Sequence, residues 1–152
     1  MKEKKISLTI ESRLENVRLV STAINNICAQ IPLSSKEAHT VELCVTEAVV
    51  NSIKHAYLGA TDQKVEIILY INSENIEINI IDFGKSMNPE LVKGNLPTGS
   101  VCRQDDLENL PISGRGLMII QNHMDLVSYR IEKSRNTLTM KKNIKTAKGH
   151  GL

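Results

Sequence analysis

The sequence predicts an α/β sandwich, with helices packed on one face of a mixed sheet. Three observations predict it. The hydrophobic period switches from two residues to three or four and back. The switches give the order strand, helix, helix, hairpin, long loop, helix, hairpin. The chain has 152 residues, 41% of them apolar, which suits one core and one domain. With 24% charged residues, the composition is neither that of a disordered chain nor that of a membrane protein.

The elements follow in order. Residues 5–10 alternate Ile6, Leu8 and Ile10 with polar neighbours, the pattern of a half-buried strand. From Leu14 the apolar positions Val17, Val20, Ile24, Ile27 and Ile31 recur every three or four residues, an amphipathic helix that Pro32 ends. Ser34-Ser35-Lys36-Glu37 is a capping-box pattern opening a second helix, in which hydroxyl and carboxylate satisfy each other's free amides. Val41, Val45, Ala48, Val49, Ile53 and Ala56 carry that helix to about Tyr57, and Gly59 stops it. Residues 65–71 and 76–81 are β-branched runs joined by Asn72-Ser73-Glu74-Asn75, which predicts a hairpin. Then, from Gly84 to Gly114, come four Gly and three of the four Pro, a long connection of the kind that is either a functional lid or disordered. Leu117, Ile120 and Met124 mark a third helix, and residues 127–131 and 137–140 form two strands around Lys133-Ser134-Arg135-Asn136.

Bulk properties exclude several functions. One Phe, three Tyr and no Trp argue against a nucleic-acid platform that stacks bases on aromatic rings. A pocket for a flat heterocycle must hold it in some other way. Three widely spaced cysteines, Cys28, Cys44 and Cys102, form neither a disulfide framework nor a zinc motif. Cys28 and Cys44 fall in helical patterns as small core residues, and a reducing cytoplasmic setting fits them. No stretch approaches the ~20 apolar residues that span a bilayer, and the N-terminus lacks the apolar run of an export signal. The net charge of +2 gathers at the ends, with Lys2, Lys4 and Lys5 at one and Lys141, Lys142, Lys145 and Lys148 at the other. Solvated tails commonly look like this. Residues 1–144 are thus expected to form the domain and residues 145–152 a basic, flexible tail.

Chemistry can live in three places. Glu47, Asn51 and His55, spaced i, i+4, i+8, form one stripe of the second helix, interleaved with apolar residues. An Asn carbonyl oxygen can complete the shell of a Mg²⁺ whose other ligands are phosphates and waters. A Glu one turn away can take a proton from a hydroxyl or water aimed at a phosphoryl group. On spacing alone the plainer reading is a solvent-facing stripe. The second place is Ile80-Ile81-Asp82-Phe83-Gly84. There a strand-end carboxylate can accept from an exocyclic amine and a glycine lets a flat ring approach the backbone, although Asp followed by a Gly is also ordinary turn chemistry. The third is Gly114-Arg115-Gly116-Leu117, read as the mouth of the third helix. It is either an anion-binding N-terminus or a hinge, and is neither a Walker A nor a dinucleotide fingerprint.

Taken together, Glu47-xxx-Asn51-xxx-His55-Ala56-Tyr57, Asp82-x-Gly84-x-Ser86, Gly114-x-Gly116-Leu117 and Asn136-Thr137 with Thr139 and Lys141 resemble the ordered N, G1, G2 and G3 boxes of the Bergerat ATP-binding fold of the GHKL superfamily. That fold, an α/β sandwich with a mostly antiparallel sheet, is shared by gyrase B, histidine kinases and MutL. The wording EAVVNSIKHAY is similar to that of the bacterial anti-sigma factor serine kinases, and the resemblance covers about residues 6–142. It implies that Asn51 ligates Mg²⁺, Glu47 is the catalytic base and Asp82 binds the adenine amine. It also implies that Gly84 packs near the base, that Gly114, Arg115, Gly116 and Leu117 lie at the phosphates, and that Thr137 supports the adenine site. His55 and Ser86 fall within the same boxes, Ser86 standing where a strict G1 box has Gly. Residues 84–114 would be the ATP lid, and Arg18 would lie near the surface that meets the protein substrate.

The function so implied is an ATP-dependent protein-serine kinase and anti-sigma factor that regulates transcription by partner switching. It would phosphorylate a serine of a STAS-domain anti-anti-sigma protein. The implied partners are that protein, a sigma factor or other regulator, and a second copy of the chain in a homodimer, with no membrane and no direct nucleic-acid contact. The rival reading is a nucleotide-gated, non-catalytic binding module. A detached histidine-kinase catalytic domain is disfavoured, because the sequence shows no helical hairpin for dimerisation and phospho-acceptance.

Overall fold

The computed structural model describes residues 2–92 and 112–145, with residues 112–114 described by their backbone alone. Strand β1 is Lys4–Glu11, helix α1 Leu14–Cys28 and helix α2 Ser35–Asn51. A π-helical turn, Ser52–Ala56, continues α2. Strands β2 (Lys64–Ile71) and β3 (Asn75–Asp82) follow, then a short 3₁₀ turn at Pro89–Leu91, helix α3 (Ile112–His123), and strands β4 (Leu126–Glu132) and β5 (Arg135–Asn143).

The strands form one sheet in the order β1-β2-β3-β5-β4. Every pairing among the described residues is antiparallel, in line with the mostly antiparallel sheet expected. Its faces differ in character. Ile67, Leu69, Ile76, Ile78, Ile80 and Met140 meet Ile24, Val41, Val45, Val49, Ile120 and Met124 of the helices in one core. Each such side chain contributes about 1.5–3 kcal/mol on burial. The other face is largely polar, with Thr139 Oγ1 and Asn79 Oδ1 bonded at 2.5 Å and Lys141 3.7 Å from Glu77. An antiparallel sheet tolerates this two-sidedness because its hairpin connections need no helix on the second face.

The capping box at α2 is formed: Ser34 Oγ accepts from Glu37 N and the Glu37 carboxylate accepts from Ser34 N. Helix α2 packs against α1, α3 and β3 and is the central support of the helical layer. The hydroxyls of Ser21 and Thr46 meet at 2.5 Å between α1 and α2, fixing the register of the two helices. Cys28 and Cys44 are fully buried, and burial pushes their thiols up to about 11 and about 12 respectively. Leu14, expected in the apolar stripe of α1, is instead 52% exposed at the first turn. Helix α1 closes at Cys28, short of Ile31. Cys102 and residues 146–152 of the expected tail lie outside the described residues. No described helix is long and apolar enough to cross a membrane.

Candidate functional site

Where β3 ends, α2 ends as well, and a cavity of about 270 Å³ opens between them. Asn51, Ser52 and His55 line it from the helical side, Asp82 from the sheet, Ser86 and Met87 from the following loop, and Tyr129 and Leu138 from β4 and β5. The π-helical turn matters here. Its wider spacing carries the Tyr57 N–H to the Ser52 carbonyl and leaves Ser52 beside β3. Gly59, at φ +83°, then donates to the Ile53 carbonyl and ends the run. The second helix therefore does not stay α-helical to Tyr57, and Asn51 and His55 belong to different helical geometries.

Asp82 is 7% exposed and, among the described residues, held by three donors. Ser52 Oγ donates to Oδ2 at 2.9 Å, while Asn136 Nδ2 at 2.8 Å and the Gly84 N–H at 3.1 Å both donate to Oδ1. A carboxylate offers about four acceptor positions, so among the described residues one is left open, on Oδ2.

The loop after Asp82 is tied at each residue. The Phe83 N–H donates to Tyr57 Oη at 2.8 Å, the Gly84 carbonyl accepts from Asn136 Nδ2 at 3.0 Å, and the Lys85 N–H donates to the Ala56 carbonyl at 2.8 Å. Ser86 Oγ donates to Asn136 Oδ1 at 2.6 Å and the Met87 N–H to Tyr129 Oη at 3.0 Å. Burial raises the hydroxyl pKa of both Tyr57 and Tyr129, so each keeps its proton while accepting from the loop, and Tyr57 Oη donates its own to the Lys64 carbonyl at 2.5 Å. Gly84 is required by space: a Cβ there would sit 2.4 Å from the Ala56 carbonyl oxygen.

Helix α3 closes the other side. A Cβ on Gly116 would lie 2.8 Å from Glu47 Oε2 and 3.3 Å from Asn51 Nδ2, so the glycine lets α3 lie directly on these two side chains. The helix begins at Ile112, not at Leu117, so Gly114, Arg115, Gly116 and Leu117 lie within its opening turns and do not form a loop at its mouth. Arg115 is exposed, and Leu117 is a buried core residue. Of the expected lid, residues 84–92 are described, and Gln121 Nε2 holds their end through the Leu91 and Val92 carbonyls. Residues 93–111 lie outside the described residues.

Thr137 needs correction. The β4–β5 turn is only Lys133-Ser134, with Lys133 at φ +55°, so Arg135 and Asn136 are already in strand, and Asn136 pairs with Asp82 while Thr137 pairs with Ile81. Side chains alternate along a strand, so Asn136 and Leu138 point to the cavity and Thr137 to the opposite face. Although the chain is poor in aromatic residues, one of them, Tyr129, lines the cavity.

Sequence reasoning missed Ser52 and Asn136 as partners of Asp82. A signal for each exists: Ser52 lies four residues after Ala48 on the buried stripe of α2, and Asn136 lies two before Leu138 on the core face of β5. No described group of three or more His, Cys, Asp or Glu forms a metal cage. Mg²⁺ does not need one, since it commonly keeps waters and phosphates and takes one or two protein oxygens. The Asn51 amide, in the cavity wall next to Glu47 and Gly116, fits that demand.

A sheet backed by helices on one face, with a strand-end carboxylate opposite an asparagine at the end of a helix, agrees with the ATPase domain of the GHKL class that the sequence resembles. Comparison with known proteins agrees: a family described as histidine kinase-like ATPase domain matches residues 10–142, and the chain belongs to it. Among its relatives, the anti-sigma F factor of Clostridium beijerinckii is 33% identical over 138 residues, covering 90% of this chain and 92% of that protein. The serine-protein kinase RsbW of Listeria innocua is 29% identical over 121 residues, covering 80% and 76%. A crystal structure of the RsbU and RsbW domains of Rv1364c from Mycobacterium tuberculosis superposes with a TM-score of 0.64 at 14% identity, over 94% of this chain and 33% of that one. That last likeness shows the fold.

Proposed function

We propose that this chain is an ATP-dependent protein-serine kinase that also acts as an anti-sigma factor, switching between a sigma factor or other regulator and a STAS-domain protein that it phosphorylates. The observation that carries the reading is the acceptor that the described residues leave open on Asp82, in a cavity whose other wall holds Asn51, with Glu47 beside it under Gly116. An open carboxylate acceptor selects a base that presents an N–H, as adenine does at its amine, and disfavours one that presents a carbonyl there. The names of the relatives, a serine-protein kinase and an anti-sigma factor, support the choice of chemistry and of partner.

In the reaction proposed, the serine Oγ of the partner bonds to the γ-phosphorus of ATP and the bond from that phosphorus to the ADP oxygen breaks. Glu47 takes the hydroxyl proton and ADP leaves. Such transfer depends on positioning and charge neutralisation more than on covalent help from the protein. Asn51 would hold Mg²⁺, which supplies charge neutralisation at the phosphates when bound. Helix α3, laid on Glu47 and Asn51 at Gly116, restricts both side chains. A homodimer in the cytoplasm is the proposed working form.

The test is incubation with γ-labelled ATP, Mg²⁺ and the STAS-domain protein encoded nearest to it. Label is expected on a serine of that partner, and Glu47→Ala is expected to lose transfer while still binding ATP. Equal labelling by wild type and variant rules out Glu47 as the base. Nucleotide binding with no transfer under any condition leaves the gated binding module as the better account.

A further inference from the structure

No role falls to Asn136 from its sequence alone, yet it is 1% exposed and both polar atoms of its amide are engaged. Nδ2 donates to Asp82 Oδ1 at 2.8 Å and to the Gly84 carbonyl at 3.0 Å, and Oδ1 accepts from Ser86 Oγ at 2.6 Å. The amide has one workable orientation, because turned over it would set its own oxygen against two acceptors. We propose that Asn136 is the positioning residue for base selection: it saturates one oxygen of Asp82 and so leaves the single acceptor on the other oxygen facing the purine edge. This deepens the nucleotide-binding reading and rests on it.

Carboxylate torsions at the end of an Asp side chain are broad and soft unless fixed from outside. Two of the donors that fix Asp82, Ser52 and the Gly84 N–H, come from the α2 turn and from the loop itself. Asn136 adds a donor from the paired strand β5, where the Asp82–Asn136 register places the two residues directly opposite on the cavity face. The same amide grips the Gly84 carbonyl, so carboxylate and glycine, which would contact the edge and the face of a base, move as one unit. Without the amide, Oδ1 regains an open acceptor. Either oxygen can then turn to the cavity or take up water, and the demand for a donor on the ligand becomes less exact in position.

ATP and ITP test this, because ITP carries a carbonyl where ATP carries the amine and is otherwise closely matched. Both are titrated by calorimetry with Mg²⁺ into the full chain and its Asn136→Ala, Ser86→Ala, Asp82→Ala and Asp82→Ala/Asn136→Ala variants. Wild type is expected to prefer ATP. Asn136→Ala is expected to lose about tenfold of that preference, the loss falling on ATP while ITP binding stays nearly constant. Ser86→Ala should shift the preference in the same direction by less, and in the Asp82→Ala background Asn136→Ala should change it no further. General structural damage would weaken both nucleotides together, so equal weakening by Asn136→Ala, or a preference kept within about twofold, overturns the proposal. If that variant does not fold, an unchanged preference in Ser86→Ala overturns it. A wild type that binds neither nucleotide refutes the nucleotide reading itself, whereas one that prefers ATP beside an Asn136→Ala that keeps the preference refutes only the role of Asn136.

Discussion

Replacing Gly84 with alanine is the sharpest single perturbation of this site. The new Cβ would stand 2.4 Å from the Ala56 carbonyl oxygen, 2.5 Å from its carbon and 2.9 Å from the Ala56 Cβ, where ordinary contact begins at 3.4 Å. Relief requires a retreat of about an ångström, and the atoms in the way are backbone atoms with no rotamer to change. A shift of that size breaks the 2.8 Å bond from the Lys85 N–H to the Ala56 carbonyl and misaligns the Asn136–Gly84 bond. Overpacking costs about 1–3 kcal/mol and the lost hydrogen bond about 1 kcal/mol, so the expected destabilisation is about 2–4 kcal/mol. A domain of ordinary stability, about 5–15 kcal/mol, survives that loss but with its cavity floor displaced. Urea denaturation should show a lower midpoint with an unchanged slope, and titration should show ATP binding weakened about tenfold or more. A variant within about 0.5 kcal/mol of wild type, with ATP affinity within about twofold, would refute the reasoning that this glycine exists for space.

Ser52→Ala removes a buried hydroxyl that donates to the Asp82 carboxylate. It should cost about 1.5–3 kcal/mol in urea unfolding, and a loss under about 0.5 kcal/mol would mean that the bond carries little. The two buried thiols predict alkaline instability. Their folded pKa values, about 11 for Cys28 and about 12 for Cys44, stand above the ordinary 9.0. A raised value means that the folded state holds the proton more tightly, so this stability is fully present below about pH 9 and is lost as pH rises through the folded values. Unfolding free energy measured from pH 8 to 11 should fall in that window, and a Cys28→Ala/Cys44→Ala variant should show a shallower fall. Identical slopes would contradict it.

How much of this was legible in the sequence depended on whether a residue's role is set locally. The capping box at Ser34 and Glu37 is local chemistry, and it reads directly. The β2–β3 hairpin reads from its alternation, because Val65, Ile67, Leu69 and Ile71 can only face a core. Asp82 reads as a strand-end carboxylate, but its three donors come from residues up to |i−j| = 54 away, which no local pattern reveals. Ser52 sits on the buried stripe four residues after Ala48, but its partner Asp82 is thirty residues away on β3, so the wheel shows that it is buried and not what it binds. Asn136 was hidden by a turn taken as four residues when the structure uses two, whereas Thr137 came from the resemblance alone and not from the strand pattern. One residue of register reverses the face of every side chain on a strand, and Asn136 is the residue that faces Asp82 while Thr137 faces away.

The tied loop from Phe83 to Met87 has a consequence in the thermodynamics of recognition. A chain with only three tyrosines uses two of them as tethers for this loop, so its scarce aromatic residues serve to hold backbone in place. The conformational entropy of these five residues is lost when the protein folds, not when a ligand arrives. Association at this wall of the cavity therefore requires little further ordering of the protein, and affinity there reflects the match between ligand edge and Asp82 with little deduction for induced fit.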